Sequence, residues 1–225
     1  MGSIPETAYL FFDIDNCLYS RDYQVEEHMS ELIDSYITNQ LDKSPEDTKH
    51  LRETYNEKYG EDIQGLVHDF QIDVVDYNSK VDNALQLDHL KPDPQLRNLL
   101  QAIDTSKVKL WILTNSYISH AKRVLNILGI DDLFAGLTYC DYLKKPIIAK
   151  PQEEMFRKAM KEAGVSDVSR CYFIDDSYAN CVGAHQIGWT AVHFVEKGLP
   201  LPDKPASQHQ IQTFTELQSL FPDFF

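Results

Sequence analysis

A chain of 225 residues suits one domain with an insertion, or two small domains, and is long enough to bury a sizeable core. Its 35 Asp and Glu against 21 Lys and Arg leave a formal net charge of −14, which argues against binding a nucleic-acid polymer or an anionic membrane surface through a basic face. At 43% hydrophobic and 25% charged residues it reads as an ordinary globular protein, with no apolar run near the roughly 20 residues that a membrane span requires.

The N-terminal residues before Ala8 lack the basic and apolar regions of a signal peptide, and Glu6 stands where a myristoylated Gly2 would want Ser or Thr. A cytoplasmic or nuclear location is therefore expected. The first apolar run, Ala8 to Phe12, is short, aromatic-rich and unbroken, as a buried parallel strand should be. It ends at Asp13-Ile14-Asp15. From about Asp22 to Ser79 the pattern is helical. Val25, Met29, Leu32, Ile33, Tyr36, Ile37 and Leu41 make one amphipathic stripe. Ser44-Pro45-Glu46-Asp47 supplies an N-cap, a proline at the first helical position and an acidic first turn, and Gly60 would stop that helix. Lys91-Pro92-Asp93-Pro94 is a rigid re-entry point.

Strands resume at Val108 to Leu113, with a helix on the spacing Ile118, Ala121, Val124, Leu125 and Leu128, stopped by Gly129. Residues 135–139 are a candidate strand. Met155, Phe156, Ala159, Met160 and Ala163 mark another helix, with Gly164 as its stop. Arg170 to Ile174 and Thr190 to Val195 complete the strands, and residues 198–208, with three prolines, read as a loop before a short tail. Strands alternating with helices predict an α/β fold, a Rossmann-like doubly wound parallel sheet with helices on both faces. Residues 1–18 and 92–225 would form that core, and residues 19–91 a helical insertion after the first strand. Cys17, Cys140, Cys171 and Cys181 form no C-x-x-C pair and read as buried reduced thiols.

The polar residues at strand ends carry the chemistry, because ligands of open α/β sheets bind at the carboxyl edge. Two carboxylates as close as Asp13 and Asp15 repel unless a cation sits between them or one is protonated; alone, the pair reads more readily as a solvated turn. The strand at Val108 ends in Thr114-Asn115-Ser116, opening a helix, where a hydroxyl, an amide and free N–H groups favour an anion, although alone the motif reads as a plain N-cap. Lys150-Pro151 precedes the next helix, and Asp175-Asp176-Ser177 follows a strand, as a hard-cation site would.

In this order, D-x-D, Leu-Thr-Asn, Lys-Pro and Asp-Asp-Ser resemble the four motifs of the haloacid dehalogenase (HAD) superfamily, and the insertion resembles that family's helical cap. Asp13-Ile14-Asp15-Asn16-Cys17-Leu18-Tyr19, Tyr59-Gly60, Gly65-Leu66, Lys91-Pro92-Asp93 and Leu137 to Tyr142 are similar to the fungal pyrimidine 5′-nucleotidase subgroup. The resemblance implies a Mg²⁺-dependent phosphatase. Asp13 would be the nucleophile and Asp15 the acid and base; the family's dehalogenases lack an acid at that position. Mg²⁺ would be held by Asp13, the backbone carbonyl of Asp15, and Asp176, with Asp175 close behind. Thr114 and the N–H of Asn115 would bind phosphoryl oxygens, with Lys150 offsetting negative charge. Asn180 stands where related enzymes often carry a second acid.

The implied substrate is a small phosphorylated molecule, foremost a nucleoside 5′-monophosphate, with lysophosphatidate or a sugar phosphate as alternatives and a non-catalytic HAD-fold binding module as a different class. A monomer or weak homo-oligomer is expected. Tyr55, Tyr59, His68 and Phe70 could stack on a base or pack the cap's own interior.

Overall fold

The computed structural model describes residues 7–225; the signal-peptide and myristoylation readings rest on residues outside the described ones. Six strands form one sheet: β1 (Ala8–Phe12), β2 (Val108–Leu113), β3 (Gly136–Thr138), β4 (Cys171–Asp175), β5 (Thr190–Phe194) and β6 (His209–Ile211). The spatial order is β3-β2-β1-β4-β5-β6, every pairing is parallel, and this is the order of a dinucleotide-type doubly wound sheet. The α/β reading of the sequence holds.

All five residues of β1 are buried, because parallel sheets in α/β proteins are covered on both faces. Alternation divides its side chains. Leu10 and Phe12 join Leu110, Ile112 and Ile174 in one apolar layer, while Tyr9 and Phe11 join Phe173 and Trp189 in the other. The Phe11 and Trp189 rings lie 4.6 Å apart between centroids.

Between β1 and β2 the described residues contain helices alone: α1 (Val25–Gln40), α2 (Pro45–Tyr59), α3 (Asp62–Phe70), α4 (Val74–Lys80) and α5 (Pro94–Gln101), besides one short 3-10 turn. The Ser44 hydroxyl accepts from the Asp47 N–H, Pro45 opens α2, and Gly60 closes it at φ +84°, a left-handed conformation that glycine tolerates without strain. Helices α1 to α4 pack around a further apolar cluster, built on Ile33, Ile37, Tyr55, Ile63 and Leu66 and completed by Cys140, Tyr142, Ile147 and Ala149 from the segment after β3. Gly65 lets the Tyr55 ring lie directly against α3, where a Cβ would come within 2.2 Å of it. After β2 come α6 (Ile118–Leu128), α7 (Glu153–Ala163), α8 (Tyr178–Gln186) and α9 (Leu217–Leu220). Gly129 and Gly164 end α6 and α7 in left-handed conformations, as their positions predict.

Several boundaries differ from expectation. The strand expected at Arg170 to Ile174 is shifted by one residue: Arg170 ends a 3-10 turn and Asp175 is the last strand residue. The strand expected at 135–139 is three residues long. The segment after the proline-rich loop holds β6 and α9, and it is firmly docked: Phe221 and Phe224 pack edge-on to Tyr172, and the Asp104 N–H donates to the Phe224 carbonyl at 2.7 Å. All four cysteines are buried and free. No helix among the described residues is long and apolar enough to cross a membrane.

Candidate active site

The carboxyl ends of β1, β2 and β4 open into one cavity of about 590 Å³ that also reaches α1 to α4. Because β1 lies between β2 and β4, the residues that follow these three strands are brought together: Asp13 and Asp15 from the first, Thr114 and Asn115 from the second, Asp175 and Asp176 from the third. The Asp13 N–H donates to the Ile174 carbonyl at 2.9 Å, so the sheet ladder continues up to the first carboxylate.

Lys150 is the ionic centre. Its side chain is 1% exposed, and Nζ donates to Asp13 Oδ1 and to Asp175 Oδ2, each at 2.6 Å. Burial works against its charge, but the two carboxylates outweigh this and push its pKa up. Burial raises the Asp13 pKa well above the usual carboxylate range, and Asp175, Asp176 and Asp15 add to this against the opposing pull of Lys150. The Lys150 backbone is fixed separately: the Asn115 side chain accepts from its N–H at 2.7 Å and donates to its carbonyl at 2.9 Å.

Asp175 is fully buried behind Lys150. It also accepts from the Ser177 N–H at 2.7 Å and from Asn180 Nδ2 on both oxygens, at 3.2 and 3.1 Å. Asn180 therefore supports the acidic turn with an amide. Asp176 faces the cavity and pairs with Arg21; burial, with Asp175 beside it, lifts its pKa to about 7. One carboxylate oxygen from each of Asp13, Asp175 and Asp176 lies within 4.8 Å of the others. Three converging hard oxygen donors, carrying more negative charge than Lys150 and Arg21 balance, fit a small divalent cation such as Mg²⁺.

Asp15 is held differently. Oδ1 accepts from the Tyr19 hydroxyl at 2.6 Å and lies 2.7 Å from His120 Nε2, while Oδ2 accepts from the Ser116 hydroxyl at 2.5 Å. Burial works against ionisation, but His120, Ser116 and Tyr19 outweigh it and hold the carboxyl well below its usual range. Burial likewise opposes a charged His120, and the Asp15 carboxylate overcomes it and raises the imidazole pKa. Thr114 is 1% exposed; its hydroxyl accepts from the Ser116 N–H at 3.0 Å and it lines the cavity with Asn115.

Thus every site residue named from the sequence lies at or directly behind this cavity. Arg21, Glu61 and His120 were not singled out, and Tyr19 and Ser116 entered only as members of longer motifs, without a role at Asp15. His120 is hidden in the sequence because it sits inside an ordinary amphipathic helix pattern; its signal is a histidine in the first turn of the helix that follows Thr114-Asn115-Ser116. Glu61 comes from the far side of the chain. It accepts from Asn115 Nδ2 at 2.8 Å, and burial pushes its carboxyl up to about 8. Tyr55, Tyr59, His68 and Phe70 do not line the cavity: Tyr55 is buried under α3 and donates to Asp69, Tyr59 and Phe70 pack on the same helical cluster, and His68 is exposed beside Asp69. The walls over the site instead include Tyr77, Asp82 and Tyr142.

The parallel sheet thus carries acidic turns after β1 and β4, with a buried lysine joining them. The haloacid dehalogenase-like hydrolase family model matches residues 8–188, and the chain belongs to that family. It is 38% identical over 202 residues to phosphate metabolism protein 8 of Saccharomyces cerevisiae, which covers 85% of this chain and 63% of that protein; the chain thus spans less than two thirds of that relative's length. Among solved structures, a HAD phosphatase from Thermococcus onnurineus superposes with a TM-score of 0.62 at 17% identity, covering 96% of this chain and 98% of the other. A 2-haloacid dehalogenase from Pseudomonas syringae pv. Tomato DC3000 superposes with a TM-score of 0.63 at 17% identity, covering 97% and 100%. At these identities the superpositions establish the shared fold.

Proposed function

We propose that the protein is a Mg²⁺-dependent phosphomonoesterase working through an aspartyl-phosphate on Asp13, with nucleoside 5′-monophosphates as its foremost substrates. The observation that carries this reading is the convergence of Asp13, Asp175 and Asp176 around Lys150, with a second carboxylate, Asp15, two residues beyond Asp13. Asp13, the Asp15 carbonyl and Asp176 would hold Mg²⁺, with Asp175 behind them; the bound cation supplies positive charge for the phosphoryl oxygens. An Asp13 oxygen forms a bond to phosphorus as the bond to the leaving oxygen breaks, and Asp15 donates the proton that the leaving oxygen needs. Asp15 then takes a proton from the water that hydrolyses the aspartyl-phosphate. In the free protein its three donors favour the carboxylate; a phosphate dianion arriving beside it opposes ionisation and favours the acid form. Thr114 and the Asn115 N–H bind phosphoryl oxygens, and Lys150 offsets the charge gathered at the nucleophile.

Helices α1 to α4, within residues 19–91, act as the cap in this reading. The carboxylates of Glu61 and Asp82 and the phenols of Tyr77 and Tyr142 in the cavity wall suit a polar, hydroxyl-bearing leaving group with a flat base better than an acyl chain. The name of the yeast relative, phosphate metabolism protein 8, accords with phosphate chemistry. The proposed setting is the cytosol or nucleus, where the four free cysteines would remain reduced.

The test is phosphate release with and without Mg²⁺ from UMP, CMP, AMP, GMP, lysophosphatidate and sugar phosphates, with Asp13→Asn as control. Mg²⁺-dependent release from nucleotides, lost in the control, is the expected result. Release from the lipid or sugar esters alone would retain the mechanism and discard the nucleotide, and a folded protein inert toward all of them would favour the binding-module class.

A further inference from the structure

A carboxylate has about four lone-pair positions. Asp15 uses three of them on protein donors: Tyr19 and His120 on Oδ1, and Ser116 on Oδ2. One position on Oδ2 remains for a reacting molecule. Because an ionised carboxylate only accepts, His120 Nε2 is the donor in this contact.

The three donors are anchored differently. Tyr19 belongs to the turn that carries Asp15 itself, four residues away, and Ser116 to the loop before α6. His120, in contrast, sits in the first turn of α6, 1% exposed. That helix is tied on either side of the histidine, to α4 itself and to the segment returning from it. The Ser119 hydroxyl donates to Asn78 Oδ1 at 3.0 Å, and the Arg123 guanidinium donates to the carbonyls of Asp82 and Leu85 at 2.9 and 2.8 Å. The imidazole ring is thus mounted on a braced element and reaches Asp15 from outside its own turn.

We propose that His120 is the positioning residue for Asp15. Its Nε2–H pins Oδ1 and so aims the free position of Oδ2 at the leaving oxygen. The inference rests on the phosphatase reading of the site and adds to it a residue that does not touch substrate. It requires that losing the Nε2 contact harm esters whose leaving group needs a proton far more than esters whose leaving group does not, since only the former depend on where the Asp15 proton points.

Two amides make the comparison. Gln at 120 can place a donor where Nε2 stands; Asn, one methylene shorter, cannot. The release of alcohol in a single turnover with Mg²⁺ would be followed for β-glycerophosphate, a poor leaving group, and p-nitrophenyl phosphate, a good one. For His120→Asn the expected loss is about 100-fold on β-glycerophosphate and less than about fivefold on p-nitrophenyl phosphate, with KM changed by less than about threefold. His120→Gln should regain at least about tenfold on β-glycerophosphate.

Equal losses on both esters, or a glutamine variant as impaired as the asparagine one, would overturn the positioning role while leaving the phosphatase reading intact. Wild-type protein inert toward these two esters and toward every ester of the functional test would overturn the phosphatase reading and this inference with it. Should His120→Asn fail to fold, Arg123→Met removes the brace that holds the helix carrying the His120 ring. It must then show the same leaving-group discrimination, and a proportional loss on both esters would equally overturn the proposal.

Discussion

Replacing Lys150 with Met retains most of the side-chain volume and removes the ammonium from between Asp13 and Asp175. Each contact is 2.6 Å long, and in an effective dielectric of about 20 the gross attraction is about 6 kcal/mol per pair. Much of it is offset by the desolvation of three charges, so the net loss on removing one partner is expected to be about 3–5 kcal/mol. The loss should also depend on pH in a defined direction. Without Lys150, Asp13, already raised by burial, loses the pull that opposes this rise, and its folded-state pKa moves further above the unfolded value. The destabilisation is then complete above that raised value and fades as pH falls toward the ordinary carboxylate range. Urea denaturation of wild type and Lys150→Met with a chelator present, at pH 8 and pH 5, tests this; the chelator keeps a divalent cation from replacing the lost charge. A loss under about 1 kcal/mol at pH 8, or the same loss at both pH values, would refute the view that charge holds this centre.

Asp15→Asn should reduce turnover of a nucleotide or alkyl ester by about 10²–10⁴-fold while leaving the melting profile near wild type, and near-normal activity would remove Asp15 from the acid–base role. Asp82 is 2% exposed, and burial lifts its carboxyl from 3.8 to about 6 despite His120 and the Tyr142 hydroxyl. Folded wild type therefore loses stability as pH rises through this interval, up to about 3 kcal/mol at about 1.4 kcal/mol per unit. Asp82→Asn should abolish that slope and be the more stable protein at pH 8; parallel stability profiles would contradict this. Gly65→Ala would drive a methyl to within 2.2 Å of the Tyr55 ring and should cost about 1–3 kcal/mol, read as a lower urea midpoint; an unchanged midpoint would mean that the ring can move aside.

The strand-end acids were legible because each followed an apolar run long enough to be read as a buried strand: Ala8 to Phe12 before Asp13, and the run through Ile174 before Asp175. The glycines at 60, 129 and 164 announced helix ends through the backbone conformation they permit. The strand β6 was not legible, since three residues, His209-Gln210-Ile211, carry too little alternation to stand out from the proline-rich stretch before them. Helices α3 and α4 were subsumed in a general helical reading, because their lengths of nine and seven residues give barely two turns of periodicity. The contacts made by His120, Arg21 and Glu61 depend on chain segments meeting from afar, which local patterning does not encode. The same limit applies to the cap aromatics: the spacing of Tyr55, Tyr59, His68 and Phe70 cannot tell an inward face from a cavity wall, and Gly65, the small residue beneath Tyr55, decides it.

The central place of β1 governs the order in which the molecule can assemble. Its two neighbours in the sheet, β2 and β4, are synthesised long after it, so Phe12 waits for Ile112 on one side and Ile174 on the other. Pairings of such sequence separation close large loops before any contact rewards them, and they form late and slowly. The Asp13 N–H can donate to the Ile174 carbonyl only when the second of these pairings is made. A chain still emerging, or arrested before β4, holds its first strand with at least one edge unpaired and no completed acidic centre. Recovery of activity on refolding should therefore trace the docking of β4, the last of the three central strands to be made.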